Sequence, residues 1–237
     1  MSTNTLQNYV SNSNYIVFFG GAGVSTESGI PDFRSVDGLY NEKWKYPPEV
    51  MISRSFFTKH TSEFFDFYKS KLLHLDAQPN KAHLALAALE KIGKLKAVIT
   101  QNIDGLHQKA GSKNVLELHG SVWRNFCLNC SESYDVEIIV NATDVPLCKC
   151  GSVIKPDVVL YEESLDDDIM ISAMDYIARA DMLIIGGTSL SVYPAAGLLD
   201  VYRGERLVLI NKSTTHMDEM ADLVINDSIG DALSCFV

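Results

Sequence analysis

Tyr15-Ile16-Val17-Phe18-Phe19-Gly20-Gly21-Ala22-Gly23 decides the fold. Its first five residues are β-formers with no polar side chain on either face. A strand apolar on both faces is buried on both, the condition of a parallel sheet covered by helices. The glycines then force a tight turn directly at the strand's carboxyl end. Outward along the chain the same strand pattern returns at Leu95-Lys96-Ala97-Val98-Ile99, Val115-Leu116-Glu117-Leu118, Met182-Leu183-Ile184-Ile185, Leu207-Val208-Leu209-Ile210 and Leu223-Val224-Ile225. Helical segments lie between several of these. One opens at Asn80 as N-cap, carries Leu84, Leu86, Leu89 and Ile92, and stops at Gly93. Asp166-Asp167-Asp168 opens another, with acids where the helix dipole favours them, and Ser228 caps a last one. Strands alternating with helices predict an α/β chain built on a Rossmann-like doubly wound parallel sheet.

Two segments break the alternation. Residues 53–75 are helical in pattern and crowded with Phe56, Phe57, Phe64, Phe65, Phe67 and Tyr68. Residues 123–153 show little periodicity and hold four of the five cysteines. Both read as insertions forming a small second lobe. The expected division is a nucleotide-binding domain of residues 1–34, 76–122 and 154–237, with a helical insertion at 35–75 and a cysteine-bearing one at 123–153. Bulk properties narrow the class further. A formal charge of −10 leaves nothing to neutralise phosphates and argues against nonspecific nucleic-acid binding. The same charge tolerates or attracts basic partners. No apolar run nears the ~18 residues of a membrane span. Residues 1–14 lack the basic and apolar regions of a signal peptide, which gives an expectation of a cytoplasmic protein.

Polar motifs gather at strand ends. Gly21-Ala22-Gly23 suits close backbone approach to a pyrophosphate, with a helix N-terminus behind it. The hydride-transfer fingerprint is incomplete, because its third glycine falls on Thr26 and no acid follows about 20 residues on. The continuation, Ser28-Gly29-Ile30-Pro31-Asp32-Phe33-Arg34, breaks a helix early and sets an acid, an aromatic and a guanidinium in a loop. An aromatic there suits covering a planar cationic ring. Thr100-Gln101-Asn102-Ile103-Asp104 follows a strand directly, and its amides and carboxylate can read an amide group and ribose hydroxyls, or cap a helix. His119 in Leu118-His119-Gly120 stands past another strand end, where an imidazole can act as general base near neutral pH. His60, His74, His83, His107 and His216 read as surface or helix residues. Gly187-Thr188-Ser189, Asn211 and Ser228-Ile229 repeat the pattern, outlining one long polar crevice.

Cys127-x-x-Cys130 and Cys148-x-Cys150 form two close pairs, the pattern of a structural Zn²⁺ held by four thiolates. With all four positions filled, the metal would hold the lobe together rather than catalyse. Cys235 reads as a core thiol.

Taken together, the stretch from Gly21 through Arg34, Thr100-Gln101-Asn102-Ile103-Asp104, Leu118-His119-Gly120, the four cysteines and Gly187-Thr188-Ser189-Leu190 resemble the sirtuins, NAD-dependent protein lysine deacylases. The likeness runs in order from about residue 15 to the C-terminus and is closest to the minimal bacterial and archaeal cores. The resemblance implies NAD as co-substrate, one structural Zn²⁺, and acetyl-lysine proteins or peptides as partners of a monomer. It implies phosphate and nicotinamide-ribose contacts from Ala22, Thr26 and Arg34, with Phe33 guarding the ring. Asn102, Ile103 and Asp104 would form the nicotinamide pocket, with Gln101 and His119 at the reacting ribose. Thr188, Ser189, Asn211 and Ile229 would hold the adenosine half. His119 and Asn102 are the implied catalytic pair. The acyl oxygen attacks the ribose and nicotinamide leaves; His119 then deprotonates a ribose hydroxyl, which attacks the resulting imidate, and with the entry of water free lysine and O-acetyl-ADP-ribose result.

Two departures bear on the substrate. The family's V-V-x-F-G-E stretch, which pairs with the peptide, reads Val158-Val159-Leu160-Tyr161-Glu162-Glu163, so Glu162 replaces a glycine. Peptide pairing through backbone groups survives such a change, and a carboxylate there favours cationic flanking residues. Succinyl- or malonyl-preferring members carry a Tyr and Arg pair. Here Tyr40 is followed by Asn41, Glu42 and Lys43, which favours acetyl groups. Removal of other acyl chains, mono-ADP-ribosyl transfer and a non-catalytic NAD-sensing module are the competing readings. Intact Asn102, Asp104 and His119 speak against the last.

Overall fold

The computed structural model describes residues 2–32 and 45–237. Phe33, Arg34 and Tyr40 through Lys43, on which some of the expectations above fall, lie outside the described residues. Helix α1 (Ser2–Ser11) leads into β1 (Ile16–Gly20), whose five residues are all buried. Then come α2 (Pro48–Met51), α3 (Arg54–Lys59), α4 (Thr61–Lys71), α5 (Lys81–Lys91), β2 (Leu95–Thr100), α6 (Leu106–Ala110) and β3 (Val115–Glu117). β4 (Gly120–Cys127), β5 (Ser133–Asp135), α7 (Glu137–Val140) and β6 (Ile154–Val158) follow. The chain closes with α8 (Asp167–Arg179), β7 (Met182–Gly186), β8 (Arg206–Ile210), β9 (Leu223–Ile225) and α9 (Ile229–Leu233).

Six strands make the large sheet in the order β3-β2-β1-β7-β8-β9, and every pairing is parallel. β1 is central, with Phe18 opposite Val98 on one side and Ile184 on the other. Successive side chains alternate faces. Ile16 and Phe18 therefore join a cluster with Leu6, Val10, Leu86, Leu89 and Leu233 under α1, α5 and α9. Val17 and Phe19 join Ala173, Ile177, Leu198 and Leu209 under α8 and the 3₁₀ segment Ala195–Val201. The strand order reverses direction between β1 and β7. This is the topological switch point, where open α/β sheets place their crevice outside the carboxyl ends of the strands. The caps read from sequence form: Asn80 accepts from Ala82 N–H, Asp166 from Ile169 N–H and Ser228 from Asp231 N–H. The polar N-terminal stretch hides a helix, because Leu6 and Val10, four residues apart, supply a sufficient apolar stripe against the core.

A second, antiparallel sheet runs β5-β4-β6. It takes in Gly120–Cys127 and Ile154–Val158, strands extending beyond the 123–153 segment marked by cysteines. Strand pairing, which composition does not reveal, draws them in. Residues of this sheet and of α7 share one hydrophobic cluster with the helical insertion: Val122 and Ile154 of the sheet and Ile139 of α7 lie among Phe57, Phe64, Phe65 and Tyr68. Among the described residues no helix is long and apolar enough to cross a membrane.

Candidate nucleotide and peptide site

The glycine turn does something different from what its composition suggests. After β1 the chain forms two 3₁₀ turns, Ala22–Val24 and Thr26–Ser28, rather than an α-helix presenting free N–H groups. A Cβ on Gly23 would lie 2.7 Å from Gly187 Cα, and one on Gly21 would lie 2.9 Å from Gly187 O. Gly187 itself has φ +62°, which favours glycine. The glycines let the β1 and β7 turns pack backbone on backbone at the switch point, fixed by Gly23 N–H to Gly187 O at 2.8 Å.

Side chains from four strand ends meet above that contact. Gln101 Nε2 donates to Thr188 Oγ1 at 3.1 Å, and Thr188 N–H donates to Asn211 Oδ1 at 3.1 Å. Asn211 Nδ2 is buried with no hydrogen-bond partner among the described residues. Ile229 is different: its side chain is buried in the core, with Cδ1 packed on Gly186 and Gly187. Ser189 is exposed, and its hydroxyl and carbonyl accept from Ser191 Oγ. Thr26 turns its hydroxyl back to Gly23 O, and Ala22 is half-buried beside it.

Asp104 caps a helix, the second of the alternatives read from the sequence, and also bonds a neighbouring hydroxyl. Oδ1 accepts Leu106 N–H at the start of α6, and Oδ2 accepts the Ser25 hydroxyl at 2.6 Å. Asn102 Nδ2 donates to that same Ser25 oxygen at 3.1 Å. Ser25 is thus the hub of the pocket, buried between amide and acid. Sequence reasoning passed over it as one small residue within a long motif. Its spacing from Gly23 was the available signal. Trp123 was also missed: its indole N–H holds Asp104 O at 2.8 Å, and its ring fills the space that a Cβ on Gly105 would need. Ile103, on the same loop, leans toward the small lobe's cluster.

His119 is half-buried, with Nδ1 2.9 Å from Gln101 O. A carbonyl accepts only, so Nδ1 carries the proton and Nε2 keeps a lone pair. Burial pushes the imidazole below its ordinary pKa, opposed by the Gln101 carbonyl, which favours the neutral ring. His119 O accepts Val159 N–H, which ties the segment after β6 to the His119 backbone. In that segment the N–H groups of Val159, Leu160 and Tyr161 are all taken, by His119 O, Glu163 Oε2 and Ile52 O. Glu162 has φ +73°, where glycine is the easy residue. Both its oxygens accept from Ser55, so its charge is turned toward α3. Glu163 pairs with the buried Lys155 at 3.0 Å and with Arg54 at 3.3 Å. Val158 ends β6, opposite Gly120.

The four cysteine sulfurs lie within 4.8 Å of one another, with Cys127 to Cys150 at 3.5 Å and Cys130 to Cys148 at 3.6 Å. Zn–S bonds of about 2.3 Å at tetrahedral angles put sulfurs about 3.8 Å apart, so the residues fit the ion. The short C-x-C arm reaches because Gly151, at φ +86°, turns the chain back immediately. Backbone N–H groups of Cys130 and Asn129 stabilise the Cys127 thiolate and bring its pKa down to about 6. A thiolate is the form that binds metal.

The fold and the crevice define a Rossmann-type nucleotide-binding protein carrying a four-thiolate metal lobe. The chain belongs to the Sir2 family, whose model matches residues 21–194. It is 63% identical over 234 residues to an NAD-dependent protein deacetylase of Clostridium perfringens, covering 97% of this chain and 96% of that one. An enzyme of the same description from Clostridium acetobutylicum is 58% identical over 238 residues, covering 99% and 97%. Among solved structures, a Sir2 with p53 peptide and NAD⁺ aligns at TM-score 0.88 and 40% identity, over 98% of this chain and 96% of that one. A Sir2 with deacetylated p53 peptide and 3′-O-acetyl ADP ribose aligns at TM-score 0.91 and 41% identity, over 98% and 96%.

Proposed function

We propose that this chain removes acetyl groups from protein lysine side chains at the expense of NAD, releasing nicotinamide and O-acetyl-ADP-ribose. The observation that carries this reading is one bonded path through the crevice: Asn211, Thr188, Gln101, His119, Val159. It joins an adenosine-side residue, the base and the peptide-side strand in one array. Thr188, Ser189, Asn211 and the Ile229 backbone hold the adenosine half, and Asn211 Nδ2 finds its missing acceptor there. Ala22, Thr26, Arg34 and Phe33 serve the phosphates and the nicotinamide end. Asn102, Ile103 and Asp104, organised by Ser25, hold the carboxamide. His119 Nε2 takes the proton from a ribose hydroxyl, and Asn102 assists at the same end. Val158, Val159, Tyr161, Glu162 and Glu163 form the wall along which the acetyl-lysine peptide runs. Cys127, Cys130, Cys148 and Cys150 hold a structural Zn²⁺, away from the reacting atoms. The working unit is a cytoplasmic monomer, with residues 1–34, 76–122 and 154–237 supplying the nucleotide side and 35–75 and 123–153 the small lobe.

Incubation with an acetyl-lysine peptide and NAD tests this. Expected is nicotinamide release in step with deacetylated peptide. No nicotinamide, or ADP-ribose transferred to protein with the acetyl group intact, would overturn it.

A further inference from the structure

Glu27 sits in the 3₁₀ turn Thr26–Ser28, yet its carboxylate reaches the opposite end of the chain. Oε2 accepts Gly230 N–H at 2.8 Å, and Oε1 lies 3.1 Å from the Ser228 hydroxyl, whose proton it shares with Asp231 Oδ2 at 3.0 Å. These partners flank Ile229. The bond therefore ties the loop of Ala22 and Thr26 to the segment proposed above for the adenosine half. Gly230 is shaped for the contact. A Cβ there would lie 2.8 Å from both carboxylate oxygens, and Gly230 is not among the glycines with positive φ. A side chain there would have to push the Glu27 carboxylate aside, with no backbone strain of its own. The loop's other flank is held independently, by Asn80 Nδ2 on Val24 O at 2.8 Å and on Ser28 Oγ at 3.0 Å. Bonds from a carboxylate to N–H and O–H donors at the start of a helix are strong for their kind. Two segments far apart in sequence are thereby held at one spacing before any ligand arrives.

We propose that Glu27 is a positioning residue for NAD, acting through Ser228 and Gly230 rather than on the reacting atoms. This rests on the NAD reading above. With the tie cut, ligand binding takes on the ordering of two loops that the wild type has already fixed.

Calorimetric titration of the full chain with ADP-ribose, without turnover, reads the effect. Glu27→Ala and Gly230→Ala should each weaken ADP-ribose about fivefold, equivalent to about 1 kcal/mol. Glu27→Gln keeps an oxygen for Gly230 N–H and should stay within about twofold of wild type. The double variant Glu27→Ala/Gly230→Ala should be no weaker than either single one, since both cut one tie. Affinity for an acetyl-lysine peptide should not move. Gly230→Ala displaces only the flexible end of Glu27, so it reports even if Glu27→Ala folds poorly. Wild-type-like ADP-ribose affinity in both single variants, additive losses in the double, or an equal loss of peptide affinity would overturn the proposal alone. A wild-type chain that binds no ADP-ribose overturns the functional reading and this one with it.

Discussion

The crevice at the β1–β7 switch point and the thiolate lobe are stabilised in opposite ways. Around the crevice, strands such as β1 and β7 are buried along their whole length, and two apolar clusters sandwich the sheet. The reactive side chains only decorate its rim. In the lobe, β5 has three residues and no buried one, and Leu128, Val140 and Leu147 are exposed. There two of the four ligands, Cys127 and Cys148, are themselves core residues. The contrast teaches that chemistry and stability are separable in the first region and fused in the second.

The largest effect should follow from breaking the tetrad. Cys130→Ala, or stripping with a strong chelator, should lower Tm by roughly 10 °C or more, because structural Zn²⁺ binding free energy is folding free energy. Hydrogen exchange should localise the loss to β4, β5 and β6, with β1 and β7 still protected. A tetrad variant that melts like wild type would erase the contrast.

His119→Ala probes the other side. Deacetylation should drop roughly 10²- to 10⁴-fold, the range for losing a general base. Tm should fall far less than in the tetrad variants, since the half-buried ring makes one hydrogen bond, to Gln101 O. In the wild type, kcat/KM should rise with pH through a His119 pKa below the usual 6.5 and then level off, because the proposed base works only when neutral. A profile still rising above pH 8 would contradict the burial seen here.

The sheet was legible because strand burial writes itself into composition: runs of five apolar β-formers have few other uses. The tetrad was legible because thiolate spacing is a local property. Ser25, Trp123 and the Glu27 tie were not, since each acts through a partner tens to hundreds of residues away. His83 and His107 show the same limit. Both lie on helices, as their spacing indicates, but the fold buries them together with ring centroids 4.7 Å apart. Both His107 nitrogens and His83 Nε2 lack partners.

That pair makes even the well-packed region acid-sensitive. Burial brings the His83 pKa down to about 4 and lowers His107 well below its usual value, with each other's proximity adding to the cost for His107. Groups with depressed native pKa values contribute full stability above the unfolded pKa near 6.5. They lose it as pH falls toward the native value. His107→Leu should therefore be neutral or stabilising at pH 8, where it removes unpaired polar atoms. At pH 5 it should retain stability that the wild type forfeits, so its midpoint falls less between the two pH values. Urea melts at the two pH values check this. Equal pH dependence in both proteins would mean the pair finds partners after all.

The smallest effect lies where the two regions join. Glu162, on the connector leaving β6, combines a left-handed backbone at φ +73° with a carboxylate bonded to Ser55 N and Oγ at the start of α3. The backbone costs a non-glycine residue roughly 1–2 kcal/mol, and a cap of this kind returns about 1 kcal/mol. Glu162→Gly removes both and should leave stability within about 1 kcal/mol of wild type. Glu162→Ala keeps the cost and loses the cap, so it should fall roughly 1 kcal/mol below wild type and roughly 1–2 kcal/mol below Glu162→Gly. Because the carboxylate is spent on Ser55, neither variant should change any preference for basic residues beside the acetyl-lysine, measured on paired peptides. Equal stability of the Ala and Gly variants would show that the connector carries no strain. A lost preference for basic flanks would show that Glu162 faces the peptide rather than the helix.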